Sequence, residues 1–367
     1  MKAVILAGGT GSRLKSCWAG IPKCMLPLFD RPAVEYLIKR LAKCGITNIL
    51  MSVSRETPEI AKFLGSGSRY GVKLAYSVES EPMGTAGAVR AFSHVLDDPF
   101  LVVAGDCATD IDFAQIIELH LHHRCIASIV AASVKDNSEF GAMELDSENR
   151  LRRFIEKPSD TESLKSDLVS TGIYVFEPEI LGSIPPYTKC DFALDVFPRL
   201  LSNSETVRGM ELNGYWQDIG LMLGYRDAHT DALTGTFKID IPAKPAGPGI
   251  FVGVDTEIGD LAKISAPVYI GARACIGAGA RVQSRSIIGA ESLIGANSQI
   301  SNTILGMGSV IGADSRISGS IITGSEPVEG NSHVFGCCRL SAVSYLPEQA
   351  VTRQAASHIV NRVIIPA

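Results

Sequence analysis

The chain has 367 residues, 46% of them hydrophobic and 20% charged, a balance that suits a globular protein large enough for two domains. Its net charge of −5 gives no basic footprint for nucleic acid or an anionic membrane, and no apolar run approaches the roughly 18 residues needed to cross a bilayer. No secretory signal pattern precedes the first strand, and nine cysteines without a Cys-x-x-Cys pair favour reduced thiols, so a cytoplasmic protein is expected.

The first predicted element is an apolar strand, Ala3-Val4-Ile5-Leu6-Ala7, which runs straight into Gly8-Gly9-Thr10-Gly11-Ser12-Arg13-Leu14; Pro22-Lys23 follows after seven further residues. Glycines let backbone N–H groups approach an anion closely, and Arg13 and Lys23 add the fixed positive charge that a triphosphate needs. Neither the Walker loop nor the G-x-G-x-x-G dinucleotide fingerprint fits this spacing. From Pro32 a helix is predicted, with Val34, Leu37, Ile38 and Leu41 on one face and Gly45 as its stop. Strands are predicted at 48–53, 100–104, 126–134 and 172–176. Their alternation with helical patterns to about residue 234 predicts an α/β domain, a Rossmann-like and mostly parallel sheet with flanking helices.

Residues 241–249 carry too many prolines and glycines for a regular element, so a linker is predicted over 235–249. Beyond it Val252, Ile258, Ile264, Ile270, Ile276, Val282, Ile288, Ile294 and Ile300 fall six apart, and the series continues at Leu305, Ile311, Ile317 and Ile322 with two steps of five. That period fits no helix. A small residue after many of the aliphatics suits a tight corner at each turn of a parallel β-helix over 250–324, three hexads to the coil. From 325 to 367 the period is lost, and a short helix at 347–358 would cap the last coil.

The glycine loop resembles the GGxGxRL…PK signature of the sugar-1-phosphate nucleotidylyltransferases, and further segments follow in that family's order to about residue 230. Glu81-Pro82-Met83-Gly84-Thr85-Ala86-Gly87 resembles the LGTAG segment that closes over base and ribose, and Val103-Ala104-Gly105-Asp106 resembles the metal-binding GD. Phe140-Gly141-Ala142 and Phe154-Ile155-Glu156-Lys157-Pro158 are similar to the YG and F-x-EKP segments that contact the sugar and its phosphate. Ser170-Thr171-Gly172-Ile173-Tyr174 stands where the family reads N-A-G-I-Y, and Gly214-Tyr215-Trp216-Gln217-Asp218-Ile219-Gly220 resembles GYWxDIG.

The resemblance implies transfer of a nucleoside monophosphate from an NTP to a hexose 1-phosphate, with release of pyrophosphate. It implies nucleotide contacts from Leu6, Ala7, Gly8, Gly9, Thr10, Gly11, Ser12, Arg13, Lys23, Glu81, Gly84, Thr85, Ala86 and Asp106. Sugar-phosphate contacts are implied for Gly141, Glu156, Lys157, Ser170 and Gly172, and a Mg²⁺ site for Asp106 and Asp218. Arg13, Lys23, Asp106 and Asp218 are expected to carry catalysis. The hexad series is similar to that of left-handed β-helices, which several family members carry, and its flat faces suit a homo-oligomer. The 84–87 segment followed by such a repeat looks most like the mannose-1-phosphate guanylyltransferases, which favours GTP and mannose 1-phosphate; glucose 1-phosphate with dTTP or UTP is the other reading.

Departures from the pattern bear on substrate identity: Lys15-Ser16-Cys17-Trp18 stands where R-P-L-T is usual, Cys24 replaces a proline, and Ser170 replaces an asparagine. An acyltransferase seated in the repeat would need a histidine base, and none of the seven histidines lies between Val252 and Ile322. A catalytically silent assembly subunit would have no use for Arg13, Lys23, Asp106 and Asp218 together. His120, His122 and His123 lack a nearby Cys or Asp to complete a metal shell and are expected at a solvated helix end.

Overall fold

A computed structural model describes residues 1–9, 21–159, 164, 166–211, 213–324 and 326–339. Thr10, Gly11, Ser12 and Arg13, and the predicted helix at 347–358, lie outside the described residues. The chain divides into two units, one of Met1–Thr10, Pro22–Cys24 and Ala33–Asp218, the other of Gly11–Ile21, Met25–Pro32 and Ile219–Ala367. Strand β1 (Lys2–Ala7) is followed by the hairpin strands β2 (Pro27–Leu28) and β3 (Arg31–Pro32), then α1 (Ala33–Lys43), β4 (Asn48–Ser54), α2 (Pro58–Leu64), β5 (Lys73–Glu79) and α3 (Gly84–Arg90). Next come β6 (Phe100–Ala104), β7 (Cys107–Thr109), α4 (Phe113–His123), β8 (Ala127–Ser133), β9 (Gly141–Leu145), β10 (Leu151–Glu156) and β11 (Leu168–Phe176). After them come α5 (Phe197–Ser202), β12 (Val207–Glu211), β13 (Trp216–Asp218) and α6 (Met222–Thr234).

In the first unit the nine-stranded sheet runs β10-β9-β11-β6-β1-β4-β5, with β8 and β12 joined beside β11. The strands β6, β1, β4 and β5 are parallel to one another, whereas β11 enters antiparallel against β6, β8 and β9. The parallel part reads as near-continuous apolar runs because both of its faces are covered: Phe100, Leu101, Val102 and Val103 are all fully buried. Helix α1 buries the predicted face, Val34, Leu37, Ile38 and Leu41. Phe176 stacks on Phe192 with ring centroids 4.7 Å apart, and Tyr174 and Phe197 close the same aromatic cluster.

His120 departs from the expected solvated helix end. It is fully buried, one turn beyond buried Ile116 on the sheet-facing side of α4, whereas His122 and His123 are exposed. Its Nδ1 lies 2.8 Å from Ser128 Oγ, its Nε2 lies 3.3 Å from Glu177 Oε1, and burial holds its pKa down to about 4. Among the described residues no helix is long and apolar enough to cross a membrane, and the eight described cysteines are free thiols.

In the second unit the chain from Ile250 visits three parallel sheets in rotation. Val252, Ile270, Ile288, Leu305 and Ile322 stand in register in the first, Ile258, Ile276, Ile294 and Ile311 in the second, and Ile264, Val282, Ile300 and Ile317 in the third. Both five-residue steps fall at the passage from the third sheet to the first, so the register survives them. A second inward column accompanies the aliphatics: Ser286, Ser292, Ser298, Thr303, Ser309, Ser315 and Ser320 are buried, and several donate to carbonyls, as Ser298 Oγ does to Gly312 O at 2.9 Å. Two expectations are corrected. Lys244–Gly247 in the predicted linker forms a strand against Ile250–Val252, tolerated because Pro245 sits on the sheet's outermost strand. The pairing does not stop at 324, since His333–Phe335 and Cys338–Arg339 add a further strand to the third and first sheets.

The β2–β3 hairpin is held by buried polar contacts within this unit. Asp30 accepts from the Tyr269 hydroxyl and from Ala290 N–H, and burial raises its pKa. Tyr225 donates its hydroxyl to Pro27 O at 2.6 Å, and Phe29 N–H donates to His229 Nε2 at 3.0 Å. That last bond needs a neutral imidazole, and burial lowers the His229 pKa from 6.5 to about 4. In the unfolded chain His229 takes up its proton near the ordinary value, so stability falls as acid is added through that window, by up to about 1.4 kcal/mol per pH unit for this group. Thermal denaturation should show the melting temperature dropping across this range, and His229→Gln should flatten the drop; superimposable profiles would remove His229 from the effect.

Candidate active site

The C-terminal ends of parallel strands are where such sheets collect ligand-binding residues, and here the ends of β6 and the adjacent β1, with that of β5 beyond β4, bear such residues. Strand β1 delivers Leu6, Ala7 and Gly8, β5 ends on Glu79, and β6 leads into Gly105 and Asp106. Gly105 N–H donates to Leu6 O at 2.9 Å. A Cβ at this position would stand 2.9 Å from that oxygen and 3.1 Å from Cys24 Cβ, so the approach of the two strand ends requires glycine. Lys23 Nζ lies 3.3 Å from Asp106 Oδ2, both side chains partly accessible.

Asp218 reaches the same place along a different path. The β7–β13 ladder pairs Trp216 with Thr109, Gln217 with Ala108 and Asp218 with Cys107, which sets Asp218 across from the residue that follows Asp106. The Cys107 thiol registers the convergence: burial pushes its pKa well up, and the Asp106 and Asp218 charges add to the shift. The ladder is fastened beyond its end, where Thr109 Oγ1 donates to Tyr215 O at 2.7 Å and Tyr215 N–H donates to Asp110 Oδ1 at 2.6 Å. Cys24, next to Lys23, is fully buried, and burial followed by the Asp106 charge drives its thiol far above the ordinary range. Neither thiol can supply a thiolate nucleophile.

Trp216 connects the segments expected to contact the sugar phosphate. Its Nε1 donates to Thr171 O at 2.9 Å and its ring meets Phe140 edge to face at 5.4 Å. Gly141 pairs with Glu156 across β9–β10, Lys157 N–H donates to Phe140 O at 2.9 Å, and Lys157 Nζ stands 4.0 Å from Glu156 Oε1. Ser170 Oγ lies 3.1 Å from the Tyr174 hydroxyl, and Gly172, at a φ of +73°, interrupts β11 beside Ala104.

A neighbour of the predicted Glu81 stands closer to Gly8. Glu81 is exposed, whereas Glu79 packs its carboxylate against Gly8, where a Cβ would come within 2.7 Å of Oε1. Ser52 Oγ donates to Glu79 Oε1, and Met83 N–H donates to Oε2 at 3.0 Å. The available signal was its position as the last residue of a parallel strand. The N–H groups of Thr85 and Ala86 are engaged by Asp191 and by Cys190 O, so they do not form an anion cradle. Among the described residues no group of three or more His, Cys, Asp or Glu is placed to hold a metal ion. The carboxylates of Asp106 and Asp218 are hard oxygen donors of the type that would suit Mg²⁺, an ion bound through one or two carboxylates.

Residues 2–235 match the family described as Nucleotidyl transferase, and residues 247–360 match the one described as GMPPB C-terminal domain. The UTP–glucose-1-phosphate uridylyltransferase of Synechocystis sp. is 33% identical over 287 residues, 74% of each chain. The mannose-1-phosphate guanylyltransferase of Mycobacterium tuberculosis is 31% identical over 64% of this chain and 65% of its own. Among solved structures, HddC from Yersinia pseudotuberculosis complexed with GMP-PN is similar at a TM-score of 0.54 and 27% identity, over 62% of this chain and 97% of its own.

The thiol environments can be checked directly. Iodoacetamide treatment of the native protein at about pH 8, read by mass spectrometry, should leave Cys24 and Cys107 unmodified while the half-buried Cys44 and Cys337 react. Rapid labelling of Cys107 would contradict the packing of β7 against β13.

Proposed function

Because the chain belongs to the nucleotidyl transferase family and is a sugar-1-phosphate nucleotidylyltransferase, we propose that it transfers GMP from GTP to mannose 1-phosphate, giving GDP-mannose and pyrophosphate. The observation that supports this reading is the Lys23–Asp106 ion pair at 3.3 Å together with the β7–β13 ladder, which sets Asp218 across from Cys107, the residue after Asp106. An oxygen of the sugar phosphate bonds to the α-phosphorus while the bond to the bridging oxygen breaks, and the electron pair leaves with pyrophosphate. The attacking oxygen is already anionic, so neither a general base nor a covalent nucleophile is required of the protein.

What the chain supplies is alignment and charge. Gly8, Gly9 and the residues through Arg13 receive the phosphates, and Lys23 meets the transferred group. Gly141, Glu156, Lys157, Ser170 and Gly172 seat the sugar phosphate. Asp106 and Asp218 are the residues that would hold Mg²⁺, which when bound supplies the positive charge that lets two polyanions approach.

Glu79 favours guanine. A carboxylate accepts from the adjacent N1–H and N2 amino donors of guanine, while uracil and thymine offer one N–H between two carbonyls and adenine offers an acceptor at the same edge. The GMP-PN complex of the similar HddC supports the same base. Glucose 1-phosphate with UTP is the second reading, favoured by the Synechocystis relative. We read the three C-terminal sheets as a left-handed parallel β-helix that mediates homo-oligomer assembly, and the free thiols as those of a cytoplasmic enzyme.

Pyrophosphate release should be fastest with GTP and mannose 1-phosphate in a panel of four NTPs and dTTP against both hexose phosphates; fastest turnover with UTP or dTTP and glucose 1-phosphate overturns the guanylyl reading. Asp218→Asn should lower turnover by about a hundredfold or more without a change in melting temperature. Glu79→Gln should lower kcat/KM for GTP by about tenfold or more, the loss of a charged hydrogen-bond acceptor, while kcat/KM for UTP changes little.

A further inference from the structure

The geometry points to Asp191 as a positioning residue that fixes the Met83–Thr85 turn and, through it, the Glu79 carboxylate. The inference rests on the nucleotide side of the function proposed above.

Helix α3 is short, and its first N–H groups would ordinarily be left to solvent or ligand. Here a distant segment takes them. Thr85 N–H donates to Asp191 Oδ1 at 3.0 Å, and the Thr85 hydroxyl donates to the same oxygen at 3.1 Å. Ala86 N–H and Gly87 N–H both donate to Cys190 O, at 2.9 and 3.0 Å. The bonding is reciprocal, since Phe192 N–H donates to Thr85 Oγ1 at 2.9 Å and Cys190 N–H donates to Met83 O at 2.9 Å. Gly84 lies within this grip at a φ of +74°, and a Cβ there would come within 2.5 Å of Cys190 O. No other residue type fits that backbone position.

Asp191 is itself held. Its N–H donates to Asp195 Oδ2 at 2.8 Å, and it opens a single π-helical turn, Phe192–Val196, whose Phe192 and Val196 are anchored in the core. Such wide turns are uncommon and are frequent at functional sites. The consequence reaches Glu79 because Met83, the residue bound by Cys190, presents its own N–H to Glu79 Oε2 at 3.0 Å. Asp191 is therefore linked to the carboxylate packed on Gly8 by its bonds to Thr85, the backbone of the tight Gly84 turn, and the Met83 N–H bond to Glu79, with Cys190 holding Met83 from the same segment. With the turn preorganised, nucleotide binding does not have to order it. Asp191 touches no reacting atom in this arrangement, so its effect should be on nucleotide affinity and base choice rather than on the chemical step.

Asp191→Ala is compared with wild type and with Asp191→Asn, which keeps an acceptor oxygen for Thr85. In Asp191→Ala, KM for GTP should rise about tenfold and the ratio of kcat/KM for GTP to that for UTP should fall, with kcat and KM for mannose 1-phosphate within about twofold of wild type. Asp191→Asn should recover most of the loss. Amide hydrogen exchange at Thr85 and Ala86 in the substrate-free protein should speed up in Asp191→Ala and return toward wild type in Asp191→Asn. An unchanged nucleotide KM with a lowered melting temperature overturns the proposal and leaves Asp191 a structural residue. So does an equal fall in kcat for every nucleotide. If wild type prefers UTP, the guanylyl reading fails by itself; the positioning role is then judged on the KM for UTP and on the exchange data.

Discussion

The ladder between β7 and β13 is the constraint on which the rest of the site depends. Two carboxylates near one another repel, and each resists leaving water, so nothing in the chemistry of Asp106 and Asp218 would bring them together unaided. Backbone pairing does it. Asp106 is placed by the end of β6, Asp218 by a three-residue strand from far along the chain, and the bonds between Thr109, Asp110 and Tyr215 keep that strand from peeling away. Lys23 pairs with Asp106 and offsets part of its charge.

The same logic, in which backbone geometry settles where side-chain charge is permitted, extends along the strand ends. Gly105 lets β1 and β6 close up, and Glu79 reaches Gly8 from two strands away because β4 sits between β1 and β5 in register. Cys24 and Cys107, placed among these charges, are held as neutral packing groups. The polar machinery is thus framed by side chains that cannot compete with it for a proton.

Much of this was legible in the sequence wherever a local rule acts alone. The hexads are in register because each aliphatic sees the same environment once per circuit, and α1 buries the face that its 3.6-residue period marks. The glycine loop, the Gly105-Asp106 pair and the 214–220 segment could be located by resemblance, but their convergence could not be read from spacing. What stayed hidden depends on partners distant in sequence. Glu79 gains its place from Ser52 and Met83, Asp191 from Thr85, and His120 from the sheet that covers it. The strand at Lys244–Gly247 was hidden for a different reason, since a proline that argues against a central strand is acceptable on an outermost one. Past 324 the inward series in fact goes on, with Val328 paired to Ile311 and Val334 to Ile317 and both packed on the aliphatic core; it was hidden because Arg339 breaks it in the first sheet, where the exposed edge of Ile321–Ile322 templates Cys338–Arg339 without an aliphatic.

The two shortened steps of the repeat fall at the same corner, one circuit apart, at Ile300 to Leu305 and Ile317 to Ile322. The chain can drop a residue there without throwing the later columns out of phase, because the sheets on either side of the connection resume in step. Length variation is therefore stored in the connections between sheets and not in the strands. An engineer who wished to graft a loop onto this scaffold would find those connections permissive, whereas a single insertion within a strand would move its aliphatic out of the column it shares with its neighbours.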